Sequence, residues 1–168
     1  RNAGLVFAAI ISLLSLIIFY IFTTPLATSL TALAIIFYVF GYTIALKKHT
    51  SQNIVWGGAA GCMPVLIGWA AVTNSLSPTA WAFFFVIFFW TPPHFWALAL
   101  YRRKDYENVG MPMLPVTHGE SFTLLHILLY TIIMIVVTFM PIGSGMSGLI
   151  YFLSALILNA IFLYYVVK

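Results

Sequence analysis

The chain has 168 residues, of which 63% are hydrophobic and 6% charged, with a formal net charge of +4. A soluble domain carries roughly a quarter of its residues as charges, so the composition excludes a water-soluble globule, and no nucleic-acid partner is expected. The lone Cys62 excludes an internal disulfide and a cysteine-based zinc cluster.

The opening Arg1-Asn2-Ala3-Gly4 has neither a signal-peptide layout nor an initiator Met, so the chain is expected to begin inside a longer protein. Six apolar runs follow, at about 4–22, 26–46, 54–73, 79–101, 122–140 and 148–167. Each is near the ~20 residues needed to cross a bilayer core. A spanning backbone must satisfy its own hydrogen bonds, so runs of this length are predicted to be helices. Short turns rich in Pro, Gly and Ser lie at 74–78 and 141–145, and a longer polar connection runs from 102 to 121. The predicted fold is all-α, a single six-span transmembrane bundle over 1–168.

Threading six crossings puts Arg1, Lys47, Lys48, Arg102, Arg103, Lys104 and Lys168 on one side, while the opposite loops carry no charge. The positive-inside rule assigns that side to the cytoplasm or the mitochondrial matrix. The three acidic residues, Asp105, Glu107 and Glu120, all fall in the 102–121 connection beside Arg102, Arg103 and Lys104. Two readings stand. One is a solvated loop whose basic residues anchor to lipid phosphates. The other is a site for a phosphorylated anion, with Arg and Lys on phosphate oxygens and a carboxylate helping to hold Mg²⁺.

His94 follows Pro92-Pro93 in the fourth run, where proline is expected to kink the helix. Trp90, His94, Leu98, Tyr101 and Asp105 share one face if that helix persists. His94 would then sit about 15 Å below Asp105. An ionisable group at that depth is either functional or a neutral imidazole bonded to a carbonyl freed by the prolines. Gly57, Gly58 and Gly61 form a small-residue face expected to serve close helix packing, with Pro64 and Gly68 bending the same helix. Two proline-disrupted spans suggest an enclosed cavity. His126 and Asn159 are expected as interhelical hydrogen-bonding groups, and His49 and His118 as solvated loop residues.

The segment from Trp90-Thr91-Pro92-Pro93-His94-Phe95-Trp96 through Tyr101-Arg102-Arg103-Lys104-Asp105-Tyr106 continues into Gly110-Met111-Pro112-Met113-Leu114-Pro115-Val116. With Lys47-Lys48-His49-Thr50-Ser51-Gln52-Asn53 and Gly57-Gly58-Ala59-Ala60-Gly61 upstream, it resembles the UbiA-type intramembrane prenyltransferases. The resemblance is to their haem-farnesylating branch, the protohaem IX farnesyltransferases or haem O synthases.

The resemblance implies a nine-helix bundle around a central cavity, farnesyl diphosphate as donor, haem B as acceptor and haem O as product. It implies Mg²⁺ bridging the diphosphate through two aspartate motifs, the second falling on Tyr101–Asp105. On that basis Asp105 is expected to hold metal, with Lys104 and Arg102 on the diphosphate. His94, Trp90 and Tyr101 would contact substrate, His94 on the haem side, and Lys48 and Asn53 would stand at the neighbouring loop mouth. The implied location is the bacterial cytoplasmic or mitochondrial inner membrane. Handover to a haem A synthase or terminal-oxidase assembly is an implied partnership. Two departures stand out: Val109 replaces a further aspartate of the second motif, with Glu107 on a different face, and the first motif is absent, Asp105 being the only Asp. The chain is therefore expected to match the third to eighth spans, to carry half a metal site and to be inactive alone. A quinone-precursor prenyltransferase, an organic-anion transporter and a haem-binding redox subunit are the rival readings.

Overall fold

In the computed structural model, which describes residues 2–168, six helices are long and apolar enough to cross a membrane. They are α1 (Asn2–Phe22), α2 (Pro25–Leu46), α3 (Asn53–Thr73), α4 (Pro78–Tyr101), α7 (Glu120–Thr138) and α9 (Leu149–Val167). Three short helices join them: α5 (Arg103–Asn108), α6 (Leu114–Thr117) and α8 (Met140–Gly143). All six predicted runs are helices. Arg1, assigned above to the basic side, lies outside the described residues.

The turns explain the boundaries. Thr24 caps α2 by accepting from the Ala27 amide at 3.2 Å and donates its hydroxyl to the Ala70 carbonyl at 2.7 Å, tying the start of α2 to the end of α3. Ser77 caps α4 through the Ala80 amide at 3.2 Å, with Pro78 at the first helical position, where its missing N–H costs nothing. Asn74 ends α3 in the left-handed conformation, φ 48°.

Each long helix packs on the next, in the order α1, α2, α3, α4, α7, α9, with α4 held between α3 and α7. The outer helix α1 buries no residue and α9 buries only Asn159. Their bare aliphatic surfaces suit lipid rather than water.

Two features differ from the sequence expectation, while the prolines do not. The second half of α2, Phe37–Leu46, is wound as a π-helix, with the Thr43 hydroxyl donating to the Tyr38 carbonyl at 2.8 Å. Pro64 and Pro92-Pro93 lie inside continuous helices, as the uninterrupted runs at 54–73 and 79–101 required. The connection after α4 is not simply a solvated loop. Met113 and Leu114 are buried with Ile54, Trp96, Ala99 and Ile127, so residues 111–116 plug the basic end of the bundle.

The glycine face divides. A Cβ on Gly57 would lie 2.9 Å from the Tyr42 ring, and one on Gly58 would lie 3.1 Å from Thr91 Cγ2, so these two glycines permit close packing. Gly61 has nothing within 4 Å and plays no such part.

Candidate functional site at the basic end of α4

The C-terminal half of α4 presents an open stripe. Trp90, His94, Leu98 and Tyr101 are all exposed on it, as their helical spacing requires. The His94 ring lies flat on Trp90, centroids 4.4 Å apart and planes 16° apart, with Phe95 edge-on at 5.2 Å. His94 makes no hydrogen bond among the described residues, so the prolines' freed carbonyls do not hold it. The stripe stops at Arg102, whose backbone (φ −102°, ψ 23°) leaves the helix before α5 restarts. Asp105 is therefore not on a straight continuation of the His94 face. The expected shared face holds from Trp90 to Tyr101 and no further.

Ile87 and Trp90 each line two cavities. One, about 620 Å³, lies between α4, α7 and α9, with Met134, Thr138, Tyr151 and Asn159 among its walls. The other, about 440 Å³, lies between α2, α3 and α4, bounded by Tyr38, Tyr42, Gly57, Gly61 and Phe95. Both are open-sided clefts beside Ile87 and Trp90 of α4, whereas the two proline-disrupted spans suggested an enclosed cavity. Gly61, unneeded for packing, forms part of a cleft wall. Thr138 organises the polar end of the larger cleft. Its hydroxyl donates to the Ile135 carbonyl at 2.7 Å and accepts from Asn159 Nδ2 at 2.7 Å, while its own carbonyl accepts the Tyr151 hydroxyl at 2.8 Å. Asn159 is thus an interhelical group, as expected. His126 is not, since its Nδ1 bonds the Phe122 carbonyl of its own helix at 2.9 Å.

A third cleft, about 520 Å³, opens at the mouth and is lined by Leu100, Tyr101, Arg102, Arg103, Lys104 and Asp105. Here Arg102 Nη1 lies 3.2 Å from Asp105 Oδ2, and Arg103 Nε lies 2.8 Å from Glu107 Oε1. Lys104 has no ion-pair partner among the described residues, so the mouth is net positive. Both pairs are roughly half exposed or more. Such pairs contribute about 0–1 kcal/mol, so a phosphate can displace either carboxylate at little cost. Arg102 also lies over the Tyr101 ring at 5.7 Å.

The remaining predicted site residues stand nearby in unequal roles. Lys48 is exposed in the turn between α2 and α3. Asn53 is buried, and its amide donates to the carbonyls of Thr50 (2.9 Å) and Pro112 (3.3 Å), fastening the plug to the start of α3. Sequence reasoning overlooked the plug, although the apolar 111–116 run inside a polar connection signalled it.

Asp105 is a hard oxygen donor at the water interface with one oxygen bonded to Arg102. That suits Mg²⁺, commonly held by one or two carboxylates plus substrate phosphates. Among the described residues no three His, Cys, Asp or Glu side chains cluster as a complete metal site. Asp105 is the one carboxylate among the residues that line this cleft.

The sequence model of the UbiA prenyltransferase family matches residues 1–168. The chain is 56% identical to the protoheme IX farnesyltransferases of Burkholderia ambifaria and Burkholderia lata, over 98% of its own length and 55% of theirs. It is 60% identical to the enzyme of that name from Burkholderia thailandensis, over 89% of the chain and 50% of the relative. The chain thus spans about half the length of the curated relatives it matches. No solved structure matches it.

Proposed function

Because the chain belongs to the UbiA prenyltransferase family, we propose that, in a protein of its relatives' length, it transfers a farnesyl group from farnesyl diphosphate to a vinyl group of haem B, giving haem O. In that reaction diphosphate leaves, and water adds to the other vinyl carbon with loss of a proton. The observation that carries this reading is the continuity of two chemically different surfaces. A basic mouth with one available carboxylate leads onto an apolar wall faced by the Trp90–His94 stack.

The donor has the same two-part character. Arg102 and Lys104 would take the diphosphate oxygens by charge-assisted hydrogen bonds. Asp105, released from Arg102 as that guanidinium turns to phosphate, would hold Mg²⁺. When bound, Mg²⁺ supplies positive charge against the departing diphosphate. The isoprenoid chain would lie along the apolar clefts beside Ile87 and Trp90, shielding the allylic carbon from water. His94, roughly two helical turns before Tyr101 at the mouth, faces the acceptor rather than the phosphates. Trp90 and Tyr101 would flank the substrates, and Lys48 would add positive charge at the adjoining turn. Asn53 would act by fixing the plug beside the mouth. The basic end would face the cytoplasm or matrix.

The testing experiment offers farnesyl diphosphate, with haem B or with an aromatic quinone precursor, to a protein of the relatives' length that contains this chain, and separates products by chromatography. Prenylated haem alone is the expected result. Prenylated quinone precursor with no haem O would assign the site to another branch of the family.

A further inference from the structure

The larger cleft, between α4, α7 and α9, has a built end. On its three helices the lining residues farthest from the basic mouth are Val86, Thr138 and Tyr151. Tyr151 bridges this end, reaching from α9 to donate its hydroxyl to the Thr138 carbonyl of α7 at 2.8 Å. Buried Asn159 adds a second tie, from its Nδ2 to the Thr138 hydroxyl at 2.7 Å. Phe139 and Phe152 meet across the same two helices, ring centroids 5.6 Å apart. A ring fastened at both its backbone and its hydroxyl cannot swing aside without losing a bond that no water in the bilayer core replaces.

The depth of this end matches a particular length of chain. Val86 and Tyr101 lie fifteen residues apart on the continuous α4, about 22 Å of helix rise. Each isoprenoid unit adds about 5 Å of extended chain, from bonds near 1.5 Å. Three units span about 15 Å and leave about 7 Å for the diphosphate at the mouth. A fourth unit would leave only about 2 Å and drive the chain terminus into the Tyr151 ring. Two units would stop short, leaving apolar wall beside Val86 and Ala155 without a partner. The smaller cleft shares Ile87 and Trp90 but reaches no deeper along α4 than Ile87, so the larger one is the channel that Tyr151 can close.

We propose that Tyr151, held by Thr138, is the stop that sets how long an isoprenoid chain the cleft accepts, selecting three units over four. The assignment rests on the reading of the donor as an isoprenoid diphosphate. Tyr151 touches no reacting atom and acts on specificity alone: a longer chain clashes with its ring, and a shorter one forfeits burial. Ala155, four residues nearer the mouth on the same face of α9, lines the cleft as well. A large side chain there would raise the floor by one helical turn, about 5–6 Å, close to one isoprenoid unit.

The test measures kcat/KM for a protein of the relatives' length that contains this chain, with haem B as acceptor and geranyl, farnesyl or geranylgeranyl diphosphate as donor. The wild-type protein should prefer farnesyl to geranylgeranyl diphosphate at least ten-fold. Tyr151→Ala should raise the geranylgeranyl-to-farnesyl ratio at least ten-fold. Ala155→Phe should raise the geranyl-to-farnesyl ratio by a similar factor, and it decides alone if Tyr151→Ala does not fold. A ratio taken within one variant cancels the amount of folded enzyme, so a merely structural role for Tyr151 would not move it. Equal use of farnesyl and geranylgeranyl diphosphate by the wild-type protein, or wild-type ratios in the folded variants, would overturn the stop while leaving the donor reading intact. No transfer from any of the three donors by the wild-type protein would overturn the donor reading and the stop with it.

Discussion

Asp105 carries more of the proposed chemistry than any other residue and almost none of the fold. It is largely exposed, and its one ionic contact is the 3.2 Å pair with Arg102. Exposed substitutions of this kind shift stability by about 0.5 kcal/mol or less. Asp105→Asn should therefore melt with the wild-type protein by circular dichroism while losing turnover. A melting temperature several degrees lower would mean that the carboxylate is structural. His94 should behave differently because it stacks on Trp90, which lines both apolar clefts, and touches no phosphate-binding residue. His94→Ala is expected to raise KM for haem several-fold and leave KM for farnesyl diphosphate unchanged. The reverse split would exchange the two ends of α4. At this scale the residue types were legible, since an only Asp beside three basic residues is conspicuous in so apolar a chain. Their engagements were not. Nothing in the sequence distinguishes Asn53, which fastens the plug, from an amide free to meet substrate, and nothing predicts that His126 bonds within its own helix.

At the scale of elements, the glycine face of α3 gives the sharpest contrast. Gly58 is buried against the Thr91 β-carbon and methyl, so Gly58→Val should overpack the α3–α4 contact and cost about 1–3 kcal/mol. Gly61 meets nothing, and Gly61→Ala should hold or slightly raise stability, because alanine is the better helix former by roughly 1 kcal/mol. Thermal melts of the two variants in one detergent check the pair, and equal losses would show that both glycines pack. Asn159→Leu, which removes the 2.7 Å bond to Thr138 across α7 and α9, should cost about 0.6–2 kcal/mol, the range for hydrogen bonds between membrane helices. The six spans were legible because lipid forces long apolar runs into helices. The π-wound half of α2 was not, because its 3.6-residue alternative has the same composition. The restart of the helix at Arg103 was hidden too, since Tyr101-Arg102-Arg103-Lys104 holds no Gly or Pro to mark a break.

For the whole molecule, the proposed topology places the 47–52 turn and the 102–119 connection on one side and the charge-free turns on the other. Cysteines introduced at Ser51 and Ser121 should label from one side of a sealed vesicle, and those at Ser77 and Ser144 from the other, with buried Cys62 silent. Labelling of Ser51 and Ser77 from the same side would break the six-span threading. The central claim is that the mouth binds a metal–diphosphate pair and is not merely a basic patch for anions. It is tested most directly by titrating a non-reactive farnesyl diphosphate analogue with and without Mg²⁺. The account predicts binding at least ten-fold tighter with Mg²⁺ in the wild-type protein, and no such gain in Asp105→Asn. Equal affinity with and without Mg²⁺ in the wild-type protein would contradict it and favour an organic-anion carrier instead.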